Sequence, residues 1–456
     1  MMPVEANAAS GSEGAPVRPF QVTSAMVLKL ALPMTLAYLT TPILGLVDTA
    51  VVGRLDDAAL IGGLAVGAVI MDLVFATFNF QRSGTTGLAA QAVGANDSNA
   101  IRDVLLRALA VSLIAGLILL AASPLLLWAA MKLMAPGTAV AAAATSYFLL
   151  RITGAPFALA NYAILGWLTG LGRTGLALLV QLVLNGFNIV LSIWLGLSLG
   201  WGIAGVAVAT VISEIIATVI GLAICYRVIG RFTFPAWSAI VDTGQLLRLA
   251  NLNADIMLRS FLLLFAFAVF TMQGARFGET MLAANAVLMH FFLIGGYFLD
   301  GLATAAEQVS GRAIGARYRP AFMRGLWLTL FWDGLLAAGL SLFFLGFGNA
   351  IVALITTLEE VRETAAQWLV YAAMTPLTGV LAFLMDGIFI GATWSRTMSR
   401  MMIVSFAAYC LALFLLVEPL GNAGLWLSLH VFLLVRGLSL ALRIAPLLAA
   451  SFGPVR

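Results

Sequence analysis

The sequence predicts an all-α polytopic membrane protein, with about twelve transmembrane helices in two six-helix lobes related by a pseudo-twofold axis along the membrane normal. Three observations lead there. Of the 456 residues, 62% are hydrophobic and only 10% charged, with a mean hydropathy of +1.05, whereas a soluble domain carries about 25% charge. Apolar stretches long enough to cross about 30 Å of hydrocarbon recur along the whole chain. The chain also repeats its own motifs at a near-constant offset, which accidental similarity does not maintain. The alternating pattern of a membrane barrel is missing, and 28 Phe with 10 Trp suit helices that face lipid between aromatic belts.

Residues 1–19 are rich in Ala, Gly, Ser, Glu and Pro and lack the apolar core of a signal peptide, so residues 1–25 are expected to be a disordered cytoplasmic tail and the first helix to direct insertion. Spanning stretches follow near 26–52, 60–82, 104–131, 140–168, 175–199, 203–226, 247–272, 281–306, 324–348, 364–391, 397–418 and 424–449. Threading them from a cytoplasmic N-terminus puts Arg102, Arg107, Arg173, Arg227, Arg231, Arg248, Arg317, Arg319, Arg324, Arg396, Arg400, Arg443 and Arg456 on the cytoplasmic side. The opposite side receives only Arg54, Lys132, Arg276 and Arg362, accompanied by acids. By the positive-inside rule both termini are cytoplasmic, and the net charge of +4 reflects topology instead of a nucleic-acid partner. Cys225 and Cys410 lie in apolar runs and give no disulfide framework.

The repeat pairs LKLAL at 28–32 with LRLAN at 247–251, QAVGAND at 91–97 with RAIGARY at 312–318, and GAPFALANYAILGWLTG at 154–170 with MTPLTGVLAFLMDGIFIG at 374–391. Its offset stays within 219–222 residues. The expected organisation is an N-lobe at 26–226, a charged, Pro-containing cytoplasmic linker at 227–247, a C-lobe at 248–449 and a short tail at 450–456. Six helices per copy is an even number, so the second copy enters the membrane from the same side as the first.

Asp48 is a lone carboxylate in the apolar run PILGLVDTAVVGR at 42–54. An acid at a helix centre costs roughly 3 kcal/mol on insertion scales and is by default a proton or cation site. At 100° per residue, Tyr38, Thr41 and Gly45 fall within about 80° of it, marking a polar seam. The competing reading is an acid at a helix end that reaches interfacial water, since Gly53, Arg54, Asp56 and Asp57 follow. The fifth stretch carries Gln181, Asn185, Asn188 and Ser192 on one stripe, the sixth carries Thr210, Ser213 and Glu214, and the second carries Asp72, Asn79 and Ser83. Amides in a span must face partners; either they tie helices together or, with Asp48, they make a pocket.

In the second half, Tyr297, Asp300, Thr304 and Glu307 share one side of a helix and Asp386 sits on another, so these acids are candidates to attract a cationic solute. Asp255 and Arg259 are four residues apart and are expected to form an ion pair. Arg151 and Arg436 are expected to be buried, with partners the sequence does not reveal. His290 and His430 stand alone, so no metal or cofactor site is expected, and no hydrolase constellation is present. Pro33 and Pro42 weaken the first helix and are candidate hinges, and Pro156 and Pro376 mark the fourth and tenth.

The motifs LKLALPMTLAY, PILGLVDTAVVGR, RSGTTGLAAQAVGA, APFALANYAILGWLTGLGR, NADIMLRS and LMDGIFIGATW resemble those of the multidrug and toxic compound extrusion (MATE) family over nearly all of residues 25–445. The resemblance implies a V-shaped pair of lobes in the bacterial inner membrane, exporting amphipathic, often cationic compounds against an inward flow of protons, with sodium ions as the possible alternative. It implies a monomer whose partners are small amphipathic molecules and the lipid bilayer. Asp48 matches the family's helix-one acid, Pro33 its helix-one bend, and Asn188 and Thr210 line the same pocket in one bacterial branch. The chain departs at Ser192, where many relatives carry a second acid, so Asp48 acts alone or Asp72 substitutes. Asp386 matches an acid of another, cation-coupled branch. A lipid-linked saccharide flippase of the same superfamily is the other alternative, but it favours a basic cavity. Burial disfavours the charged form of a carboxyl group, so Asp48 is expected to alternate between a protonated form and an ionised form that attracts cargo.

Overall fold

Hydrocarbon offers the backbone no hydrogen bonds, and a helix satisfies its interior N–H and C=O groups within one segment. The protein follows this rule. The structure is a computed structural model that describes residues 17–55, 57–230 and 243–453, apart from the side chains of 243 and 245–251. Among these residues there is no strand. Twelve helical spans are long and apolar enough to cross a membrane: α1 (Ser24–Leu55), α2 (Ala58–Ala95), α3 (Ser98–Met134), α4 (Thr138–Gly170), α5 (Thr174–Ser198), α6 (Gly202–Ile229), α7 (Leu252–Phe277), α8 (Glu279–Gly315), α9 (Arg319–Ile355), α10 (Glu359–Gly391), α11 (Ser395–Leu420) and α12 (Asn422–Phe452). The expected tail up to residue 16, the linker at 231–242, Asp56 and residues 454–456 lie outside the described residues.

The rest of the expected tail is ordered, which corrects the reading of residues 1–25 as disordered throughout. Val22 is fully buried, Arg18 N donates to Ala316 O at 3.0 Å, and Arg324 Nε donates to Val22 O at 2.7 Å. The Phe20 ring lies 4.2 Å from the Arg312 guanidinium. Phe20 and Val22 are the apolar anchors in an otherwise polar leader.

The two prolines of α1 do not interrupt it, and the helix is continuous from Ser24 to Val52. Pro156 and Pro376 behave differently. A 3₁₀ turn at Ile152–Gly154 precedes a new α-segment at Ala155–Gly170, and a break at Met374 precedes one at Thr375–Gly391. Each proline occupies the first turn of its segment, where its missing N–H leaves no helix bond unmade. A third break, at Phe78 and Asn79, divides α2.

The chain forms two units. One comprises Leu36–Ala89 with Ser98–Asn253, and the other comprises the chain up to Thr35, Ala90–Asp97 and everything from Ala254 onward. The expected lobe limits at 26–226 and 248–449 therefore differ from the unit limits by the start of α1, the end of α2 and residues 248–253. Glycine explains the transferred pieces. A Cβ on Gly94 would meet Arg312 O, one on Gly315 would meet Gln91 O, and one on Gly301 would meet Thr35 Oγ1. These backbones pass too closely for side chains. Gln91 Nε2 adds bonds to Gly391 O and Thr393 Oγ1, both at 3.1 Å.

The same device recurs at equivalent positions of the repeat. A Cβ on Gly166 would meet Arg82 O, and one on Gly387 would meet Ala303 O. Residues 166 and 387, and likewise 82 and 303, are 221 apart. Duplication has thus preserved a backbone crossing. Gly166→Ala and Gly387→Ala are each expected to destabilise the protein by about 1–3 kcal/mol through overpacking, whereas Gly339, with nothing within 4 Å of its Cβ position, tolerates alanine. Thermal unfolding in detergent, compared across the three variants, checks this.

Candidate functional site

The polar stripe of α5 bonds to α1 and α6 in a run of side-chain contacts. Gln181 Nε2 donates to Asn185 Oδ1 at 3.0 Å, and Asn185 Nδ2 donates to Thr40 Oγ1 at 2.6 Å. Asn188 Nδ2 donates to Thr210 Oγ1 at 2.8 Å, and Ser192 Oγ donates to Asp48 Oδ1 at 2.9 Å. Asn185, Asn188 and Ser192 are buried. Because 185 bonds to 40 and 192 to 48, α1 and α5 run in the same direction, and the stripe meets α1 at two levels two turns apart. Asn188 Oδ1 is buried without a hydrogen-bond partner, leaving an acceptor beside these contacts.

Asp48 is half-buried and forms one wall of a cavity of about 140 Å³. Gly45 and Thr49 of α1, Ile61, Leu64, Ala65 and Ala68 of α2, and Tyr147 of α4 line the rest. The walls are mainly apolar. A carboxylate in such a setting suits a molecule with an apolar body and a positive or proton-donating group.

The neighbouring charges fix what Asp48 can bind. Arg151 is buried and makes a two-pronged ion pair with Glu214, Nη1 to Oε2 at 3.0 Å and Nη2 to Oε1 at 2.6 Å. Its guanidinium also lies 4.9 Å from the Phe75 ring centroid. Asp48 and Asp72 are both within electrostatic reach of Arg151. Since Glu214 already satisfies this arginine, the hydrogen bond recorded to the Asp48 carboxylate comes from a neutral hydroxyl, and the acid keeps capacity for a proton or cation. A Cβ on Gly154 would meet Glu214 Oε2, so glycine at that position makes room for the pair.

The remaining candidates are distributed as follows. Tyr38 is half-buried and its hydroxyl accepts from Arg82 Nη1. Thr41 is exposed, and it is Thr40 that joins the stripe. Thr40 lies about as far in helical angle from Asp48 as Tyr38 does, on the other side, and that angle was the available signal. Asp72 and Asn79 are exposed on α2, with Asn79 Oδ1 accepting from Arg82 Nε at 3.4 Å.

In the second unit Glu307 is buried and Asp300 half-buried. Asp386 is not a bare acid awaiting a cationic solute, because Arg259 and Arg436 both bond to its Oδ2. The expected Asp255 to Arg259 ion pair is likewise corrected. Asp255 accepts from Ser395 Oγ at 2.8 Å and Ser399 Oγ at 3.0 Å, while Arg259 turns to Asp386. Sequence spacing identifies partners on the same helix only, and here the stronger partner lies across the bundle.

With this geometry described, comparison with known proteins places the chain. The MatE family model matches residues 33–194 and again 256–415. The chain belongs to the MatE family. Each copy of the internal repeat carries its own match, with starts 223 residues apart and ends 221 apart. The chain is 39% identical over 418 residues to DNA damage-inducible protein F of Escherichia coli (strain K12), covering 90% of each chain. It is 28% identical over 446 residues to a probable multidrug resistance protein NorM of Deinococcus radiodurans, covering 91% of this chain and 93% of that one. Among solved structures, a MOP superfamily transporter from Pyrococcus furiosus superposes with a TM-score of 0.85 at 18% identity, covering 94% of this chain and 96% of that one. Asp48, Asn185, Asn188 and Ser192 all fall inside the first MatE match.

Removing one partner of a buried ion pair strands a charge. Arg151→Met or Glu214→Leu alone is expected to cost about 3–5 kcal/mol, and the double substitution considerably less than either single one. Unfolding midpoints of the three variants read this directly.

Proposed function

We propose that this MatE protein is a secondary active exporter of amphipathic, cationic organic compounds that runs on proton entry through Asp48. It is not an enzyme in this reading, needs no cofactor, and works as a monomer in the cell inner membrane with both termini cytoplasmic. The observation that carries the proposal is Asp48 itself, a half-buried carboxylate on an otherwise largely apolar cavity wall with one hydroxyl donor from Ser192. Membership of a transporter family and similarity to a protein named for multidrug resistance support export of small molecules.

The cavity gives the carboxyl group two states. Ionised, Asp48 holds a cation whose apolar body rests on Ile61, Leu64 and Ala68, while Ser192 solvates the charge. Protonated, it loses its attraction for the cation, and the cargo leaves. The two occupants compete for one carboxylate, so proton and cargo move in opposite directions. One charge crossing 100 mV supplies roughly 2.3 kcal/mol, to which the proton gradient adds. Pro33 and Pro42 leave the carbonyls of residues 29 and 38 without their helix N–H partners, both on the N-terminal side of Thr40 on α1, where the helix can flex between the two states.

Transport of a cationic dye in proteoliposomes with separately imposed proton and sodium gradients tests the proposal. Asp48→Asn is expected to abolish proton-driven efflux. Ser192→Ala is expected to reduce it about tenfold, the effect of losing about 1.4 kcal/mol from a hydrogen bond to a charged group. Proton-driven efflux that survives Asp48→Asn, or efflux that stops only when sodium is withdrawn, overturns it.

A further inference from the structure

The reading of Asp48 leaves one acid of the second unit without a role. Asp333, in the middle of α9, has no exposed surface, and neither of its carboxyl oxygens has a hydrogen-bond partner. Leaving a buried polar group unsatisfied is costly, and leaving an ionised carboxylate unpaired far more so. An acid retained at such a position, inside a span, is a functional group by default.

The packing of α8 on α9 sets Asp300 opposite it. Val309 of α8 lies against Gly325 of α9, while Phe291 of α8 packs on Phe344 of α9 with centroids 5.1 Å apart. These antiparallel contacts bracket the level shared by 300 and 333, and the two carboxyl groups interact electrostatically. A chain of charge continues from there. Gly296, one turn before Asp300, meets Phe383 Cζ at 3.3 Å from its Cβ position, and the Arg436 guanidinium lies 5.9 Å from the same ring. Arg436 is within electrostatic reach of Asp300 and bonds to Asp386, which Arg259 also holds.

The cluster contains three carboxyl groups and two guanidiniums, and the guanidiniums stay charged. Asp386 touches both arginines and Asp300 feels one, so a proton belongs on Asp333, the member with no donor. Glu307, also buried on α8, lies two turns beyond Asp300, about 10 Å along the axis. His290 is exposed, and Glu359, Glu360 and Glu363 are confined to the first turns of α10.

We propose that Asp333, facing Asp300 across α8 and α9, is a second proton-binding site of this transporter, distinct from Asp48. One Asp333 oxygen forms an O–H bond with a proton taken from water and returns that proton to water when the cluster gains positive charge. The proposal does not depend on whether Asp48 couples transport.

Infrared spectroscopy of the purified full-length protein tests it, with Asp48→Asn as the reference so that Asp48 contributes no carboxyl signal. The C=O stretch of a protonated carboxyl is expected in the reference, to be lost reversibly on alkaline titration, and to be missing after adding Asp333→Asn. Adding Asp300→Asn instead removes a like charge beside Asp333 but leaves its burial, so the band is retained and less alkali is needed to remove it. A spectrum unchanged by Asp333→Asn, a titration unmoved by Asp300→Asn, or a band that persists at every pH overturns the proposal. If Asp333→Asn does not fold, the titration and the Asp300→Asn variant decide alone.

Discussion

A charge inside a membrane span must meet an opposite charge, a proton or hydrogen-bond donors, because no bulk water is there to stabilise it. This constraint organises the polar interior of the protein. Arg151 meets Glu214, Arg259 and Arg436 converge on Asp386, and Asp255 is held by two serines. Each of these groups has a charged or hydroxyl partner and serves the fold. Asp48 has a single hydroxyl donor and Asp333 has none. Incomplete pairing is where a mobile proton or cation has something to gain.

The two units solve the same problem with different chemistry. Around Asp48 an amide and hydroxyl stripe from α5 supplies dipoles, which solvate a charge without neutralising it. In the proposed cycle, that leaves the carboxylate able to bind and release. Around Asp386 two guanidiniums supply full charges, which lock that carboxylate and shift the open position one helix away to Asp333. Duplication gave both halves the same backbone crossings, at Gly166 and Gly387, and left the side chains in between free to diverge.

Much of this was legible in the sequence. Composition and the recurrence of long apolar runs gave twelve spans, the 221-residue offset gave the duplication, and the motifs gave the family. The α5 stripe was legible as well, since Gln181, Asn185, Asn188 and Ser192 recur with the helical period and the structure joins them to α1 and α6. Thr40 was missed because it lies at the edge of the seam, as far from Asp48 in helical angle as Tyr38 but on the other side, while Thr41 lies nearly in line with Asp48. The order of residues 17–23 was missed because two apolar anchors, Phe20 and Val22, are too few to stand out against a polar leader.

The sequence by itself determined which segments enter the membrane and that they come as two copies, because hydropathy and repeat spacing are local, additive properties of the chain. Only the tertiary structure decided which charges are partners. Asp255 stands four residues from Arg259, yet packing turns them to different helices. Asp333 is a lone acid in an apolar run, as Asp48 is, but that neither of its oxygens has a partner is visible only once α8 and α9 are brought side by side. Electrostatic energy depends on distance in space and on what water is excluded, and neither is written in the order of residues.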